Sequence, residues 1–138
     1  MRKLRRTIAA LGSVVLLASV MVIGSGTPAS SHRSETSVSL RVSDRTVRPR
    51  QRVVFFGRLR GDHLGCRRNQ MVELVRRGTG VVASDETDSE GEFRMRHDPQ
   101  PNRGRYFARY RGRGKFGYRG RHSCAPDISR TIRIRRQR

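Results

Sequence analysis

The residues of this chain best suited to chemistry are its cations. Between Pro99 and Pro126 stand Arg103, Arg105, Arg109, Arg111, Arg113, Lys115, Arg119 and Arg121, with no acid among them. Guanidinium groups bind phosphate and carboxylate oxygens in a fixed fork. A run of this kind therefore points to a polyanionic partner, attracted by Coulomb steering and held with release of counterions. The plain alternative is a soluble basic surface. The chain's 138 residues carry a formal net charge of +20, and arginine outnumbers lysine 29 to 2. Two causes give such a skew: the arginine codons of a GC-rich genome, or selection for arginine chemistry.

The segment Arg111 to Arg121, RGRGKFGYRGR, resembles arginine–glycine nucleic-acid-binding segments, whose interleaved aromatic rings stack on bases. Cys66 and Cys124 are the two cysteines. An even count in an exported chain favours a disulfide between them; an intermolecular pair or a metal site are the other uses. No CxxC is present and the histidines (His32, His63, His97, His122) are scattered, so neither a metal nor another cofactor is expected. The acidic stretch Asp85 to Gly91 partly mimics a calcium loop, but the closing acid would fall at His97 and the flanks alternate as strands. It reads as a surface turn, and Arg60-Gly61-Asp62 reads as chance in an Arg- and Gly-rich chain. No GxSxG, HExxH or nucleotide-cradling loop appears. An enzyme is not expected. The best catalytic alternative is a small basic nuclease, with Glu73 or Glu92 as base, His97 or His122 as acid and an arginine clamp.

Position depends on the elements that carry these residues. Residues 1–31 have a basic head (Arg2, Lys3, Arg5, Arg6), an apolar middle from Ile8 to Gly24 and a small-residue tail, the order of a secretory signal peptide and its helix. Cleavage after Ala29 or Ser31 gives a secreted or cell-surface product. Retention would make the segment a membrane anchor, and the chain's sole membrane contact. Removing residues 1–31 takes away four of the 31 basic residues and none of the 11 acids, so the basicity belongs to the remainder. Residues 32–36 read as a short polar linker. From Ser37 to Arg136 the dominant period is two. Val38-Leu40-Val42, Val53-Phe55-Gly57-Leu59, Val72-Leu74, Phe93-Met95, Tyr106-Ala108-Tyr110 and Ile132-Ile134 each keep one parity. A weaker strand covers Gly80 to Glu86. Turn residues separate them, including Asp88-Ser89-Glu90-Gly91 and Asp98 to Asn102. Arg111 to Pro126 reads as a long loop. The pattern predicts an all-β, seven-stranded immunoglobulin-like sandwich over residues 37–136.

In sequence the chain resembles the bacterial immunoglobulin-like domains of secreted and surface proteins from high-GC Gram-positive bacteria. The likeness is carried in order by VSLRV at 38–42, VRPRQ at 47–51, VVFFGRL at 53–59, VELVRR at 72–77, TDSEGEF at 87–93 and YFARY at 106–110. It implies a spacer or binding module without catalysis. In that topology the loops holding Cys66 and Cys124 emerge at one end of the sandwich. The third, sixth and seventh strands share a sheet, which would bring Arg109 and Arg111 together with Arg77, Arg133 and Arg135 on one outer face. The expected function is an adhesion or interaction module for anionic polymers: wall polymers, acidic glycans or extracellular DNA. The expected binding residues are Arg109, Arg111, Arg113, Lys115, Arg119, Arg121, Arg133 and Arg135. A structural spacer with no specific ligand is the alternative.

Overall fold

The computed structural model describes residues 31–98 and 103–138. The signal segment 1–30 lies outside the described residues. Extended backbone dominates what remains, because the apolar residues recur every second position and so share one face of a strand.

In chain order the strands are β1 (His32–Ser34), β2 (Thr36–Val38), β3 (Arg41–Val42), β4 (Thr46–Val47) and β5 (Val53–Gly61). Then come β6 (Met71–Arg76), β7 (Gly80–Glu86), β8 (Glu92–His97) and β9 (Gly104–Tyr110). The last four are β10 (Arg113–Phe116), β11 (His122–Cys124), β12 (Asp127–Ile128) and β13 (Ile132–Arg136). One sheet centres on β5, which pairs with β2, β3 and β8. A second runs β4-β13-β9-β6-β7, with β12 also on β9. The inner faces of these two sheets share one core. Val53, Phe55, Leu59, Phe93 and Met95 come from the first, and Val72, Leu74, Tyr106, Ala108, Ile132 and Ile134 from the second. The rings of Phe55 and Tyr106 meet between the layers with centroids 5.0 Å apart. Each fully buried apolar side chain of this kind contributes roughly 1.5–3 kcal/mol.

Two glycines fix local geometry. A Cβ on Gly57 would lie 2.0 Å from the Ser39 carbonyl oxygen and 2.7 Å from the Phe93 ring. That position lets the chain between β2 and β3 cross close over β5. Gly112 has φ +84°, and a Cβ there would come within 2.7 Å of the Cys124 carbonyl oxygen. It turns the chain out of β9 into a separate small sheet.

That small sheet departs from the sequence reading. Arg111 to Pro126, expected as a loop, instead supplies β10 and β11, which pair antiparallel. Residues 32–36, expected as a linker, contribute β1, which pairs parallel with β11 through His32↔His122 and Ser34↔Cys124. Thr36, at the end of that stretch, already belongs to β2. Backbone hydrogen bonds need no apolar pattern, so polar and glycine-rich segments can pair where a disulfide and turns hold them in place. The Cys66–Cys124 disulfide joins β11 to a short helical turn at Leu64–Cys66. Nearby, the Thr36 hydroxyl donates to the Ala125 carbonyl at 2.7 Å, and the Val38 N–H donates to Asp127 Oδ2 at 2.7 Å. The amino-terminal strands are thereby tied to the same end as the disulfide.

Candidate anion-binding site

The residues expected to bind a polyanion fall into three groups rather than one. On the outer face of the β6–β9 pair, Arg109 stands opposite Glu73. Arg109 Nε donates to Glu73 Oε2 at 2.8 Å, and Arg111 Nε donates to both carboxylate oxygens at 3.0 Å. The hydrogen bond from Arg111, opposed by partial burial and reinforced by that from Arg109, holds the Glu73 carboxyl below its ordinary value. One acid therefore occupies two of the expected cations.

The second group sits on the small sheet. The Arg113 guanidinium lies 4.3 Å from the centroid of Phe116 and donates to the Gly65 carbonyl at 3.2 Å. Phe116 also packs edge-on to His63, whose ring stacks on His122 with centroids 4.3 Å apart. Of the two rings available for base stacking, Phe116 is thus occupied, while Tyr118 is 74% exposed. Lys115, Arg119 and Arg121 are exposed, and the Arg119 guanidinium lies over the Tyr118 ring, 5.4 Å from its centroid.

Arg133 and Arg135 form the third group, on β13, and here the structure adds partners. β13 runs antiparallel to β9 with Arg133 opposite Arg105 and Ile134 opposite Gly104. Continuing the register sets Arg135 beside Arg103. Ile132, Ile134 and Tyr106 point into the core, so these four arginines share the outer face. They line an open trough of about 720 Å³ together with Arg136, Arg138, Gly104, Ile134 and Gln137. None of the described lining residues has an acidic side chain. Cations placed directly across a ladder destabilise a sheet by a few tenths to ~1 kcal/mol each, and no acidic side chain among the described lining residues offsets them. The Arg76 side chain donates to the Arg103 carbonyl at 2.8 Å and the Arg77 N–H to the Arg105 carbonyl at 2.9 Å, which fixes the backbone under the trough. Arg105 and Arg111 are six strand residues apart, about 20 Å, so the trough and the small sheet occupy different ends of the molecule.

Arg103, Arg105, Arg136 and Arg138 were outside the expected site. The signal for Arg105 was present in the parity of β9, where Arg105, Phe107 and Arg109 alternate with the buried tyrosines. Only the register with β13 shows which cation it faces.

Another groove, of about 610 Å³, lies on the outer face of the β5–β8 pair. Phe56, 37% exposed, stands there between Arg41 and Arg94 in the cross-strand register. Asp85, Glu86, Asp88 and Glu92 also line it, and Arg58 forms an ion pair with Glu92. Its charges compensate, unlike those of the trough. The groups considered for a nuclease are dispersed: Glu73 is engaged by two arginines, Glu92 by Arg58, and His122 lies on the small sheet. His97 has the core-facing parity of β8, opposite to Glu92. Burial, only partly opposed by Asp98, pushes its imidazole below the ordinary value.

Among the described residues, no group of three or more His, Cys, Asp or Glu side chains is placed to hold a metal ion. No helix among them is long and apolar enough to cross a membrane. No protein-family model matches the chain, and no characterised protein matches it in sequence.

Proposed function

We propose that this chain is an exported immunoglobulin-like module that binds an anionic polymer outside the cytoplasm, without catalysis. The observation that carries the reading is the trough between β9 and β13: six arginines, two of them directly opposed across the ladder, and no acidic side chain among the described lining residues. Such an arrangement costs folding stability and is offset when an anion enters. The sheet order supports the immunoglobulin-like assignment. β2 and β3 act as one interrupted first strand, followed by β5, β6, β7, β8, β9 and β13 as the remaining six. The short β4 runs parallel to β13 at the sheet edge. The signal-like residues 1–31 support export, as does the disulfide.

The test is salt-dependent binding to a sulfated or phosphorylated polysaccharide and to DNA. For the intact protein, log K is expected to fall linearly with log salt. In a variant carrying Arg105→Ser, Arg133→Ser and Arg135→Ser, the slope should shrink by about 0.7–0.9 for each phosphate that is no longer neutralised. Unchanged binding by that variant would remove the trough from the site. No binding by either protein would leave the spacer reading in its place.

A further inference from the structure

The trough has a spacing as well as a charge. Arg103 and Arg105 follow one another on the outer face of β9 and its lead-in, and Arg133 and Arg135 do so on β13. Same-face positions on a strand are two residues apart, which is six covalent backbone bonds and about 6.5–7 Å. The two rows lie side by side about 5 Å apart. In this register Arg105 stands opposite Arg133, and continuing it past Ile134 and Gly104 sets Arg103 beside Arg135, two arginine pairs in succession along the strands.

A phosphodiester chain in which three carbons separate successive phosphates has the same count of bonds per repeat. Two are P–O, two are C–O and two are C–C. Extended, such a chain places its phosphates at the interval at which the strand places its arginine pairs. Polymers with other repeats do not keep step. Inorganic polyphosphate carries a charge every two bonds, and a uronate glycan carries its carboxylates on bulky rings. Arginine suits the match, since its fork can give two parallel N–H donors to one phosphate. The described lining residues include no aromatic ring, so base stacking of the usual single-strand kind has no platform among them.

Resting on the polyanion reading above, we propose that the trough takes an extended phosphodiester chain with a three-carbon link between phosphates. One phosphate lies between Arg105 and Arg133 and the next between Arg103 and Arg135. Poly(glycerol phosphate) and single-stranded nucleic acid share this backbone chemistry, and the trough reads the backbone alone.

The experiment uses the full oxidised protein and synthetic oligo(alkanediol phosphates) of equal phosphate number, with two, three, four or five carbons per link, at fixed salt. Affinity should peak at three carbons, about three- to tenfold above the two- and five-carbon oligomers, because only a matched repeat engages both pairs at once. Arg105→Ser and Arg133→Ser, each with a melting temperature no lower than the parent's, should flatten that preference. A glycerol phosphate oligomer and an oligothymidylate of the same phosphate number should bind within about threefold of each other. An order that simply follows charge density, with polyphosphate first and five carbons last, would overturn the register while leaving polyanion binding intact. Failure to bind any of these polymers would overturn both. A tenfold or greater preference for oligothymidylate would overturn recognition through the backbone alone.

Discussion

Glu73 shows how a single carboxylate sets the electrostatics of a strongly basic sheet. Its side chain is only 16% exposed, and it accepts from both Arg109 and Arg111. Because its folded value lies below the ordinary value of 4.5, its ionised form stabilises the fold at neutral pH. That stabilisation is complete above about pH 4.5 and is lost as pH falls through the lower folded value. Glu73→Gln should remove this acid-dependent limb from a plot of melting temperature against pH. The same change frees two guanidinium groups. Polyanion binding by the variant should show a salt slope steeper by about 0.7–1.8, the equivalent of one or two further phosphates neutralised. A slope equal to that of the parent would mean that these arginines lie outside the bound polymer's path. The charge run advertised Arg109 and Arg111 as candidates; that Glu73 already holds them depends on the β6–β9 register, and one strand's sequence does not state which residue of another stands opposite.

Among the elements, the long strands were legible and the short ones were not. β5, β8, β9 and β13 bury one parity each, so alternation alone marks them, while β6 alternates only as far as the irregularity between Leu74 and Val75, both of which are buried. β10 has no fully buried residue, and β1 none. Their pairing rests on backbone hydrogen bonds and on their attachment to the disulfide end, neither of which leaves an apolar period to read. Gly57 illustrates a middle case. Its place in the alternation of β5 was visible, but the reason for a glycine there is the Ser39 carbonyl oxygen passing over it. Gly57→Ala should force β5 apart from the β2–β3 crossing and destabilise by about 1–3 kcal/mol, the usual cost of overpacking. Urea unfolding measures this; a shift below a few tenths of a kcal/mol would show that the crossing relaxes freely.

For the whole molecule, a thin core and a large positive charge leave the covalent bridge with a large share of stability. Cys66 and Cys124 are 58 residues apart in sequence. Closing a loop of that size in the unfolded chain is worth about 4 kcal/mol on the chain-entropy estimate. Folded domains typically have ~5–15 kcal/mol in total. Replacing both cysteines by serine should therefore lower stability by a few kcal/mol, read as a fall in melting temperature that added reductant does not deepen. A loss under ~1 kcal/mol would indicate that the unfolded chain is already compact around β11.

The path of the chain gives the molecule two poles. Its described residues begin beside the disulfide, where His32 pairs with β11, and finish at Gln137 and Arg138 in the wall of the arginine trough. A support gripping the protein upstream of His32 would leave the cationic pole facing outward. One gripping it beyond Arg138 would crowd that pole, so the two orientations would display opposite surfaces to the same polymer.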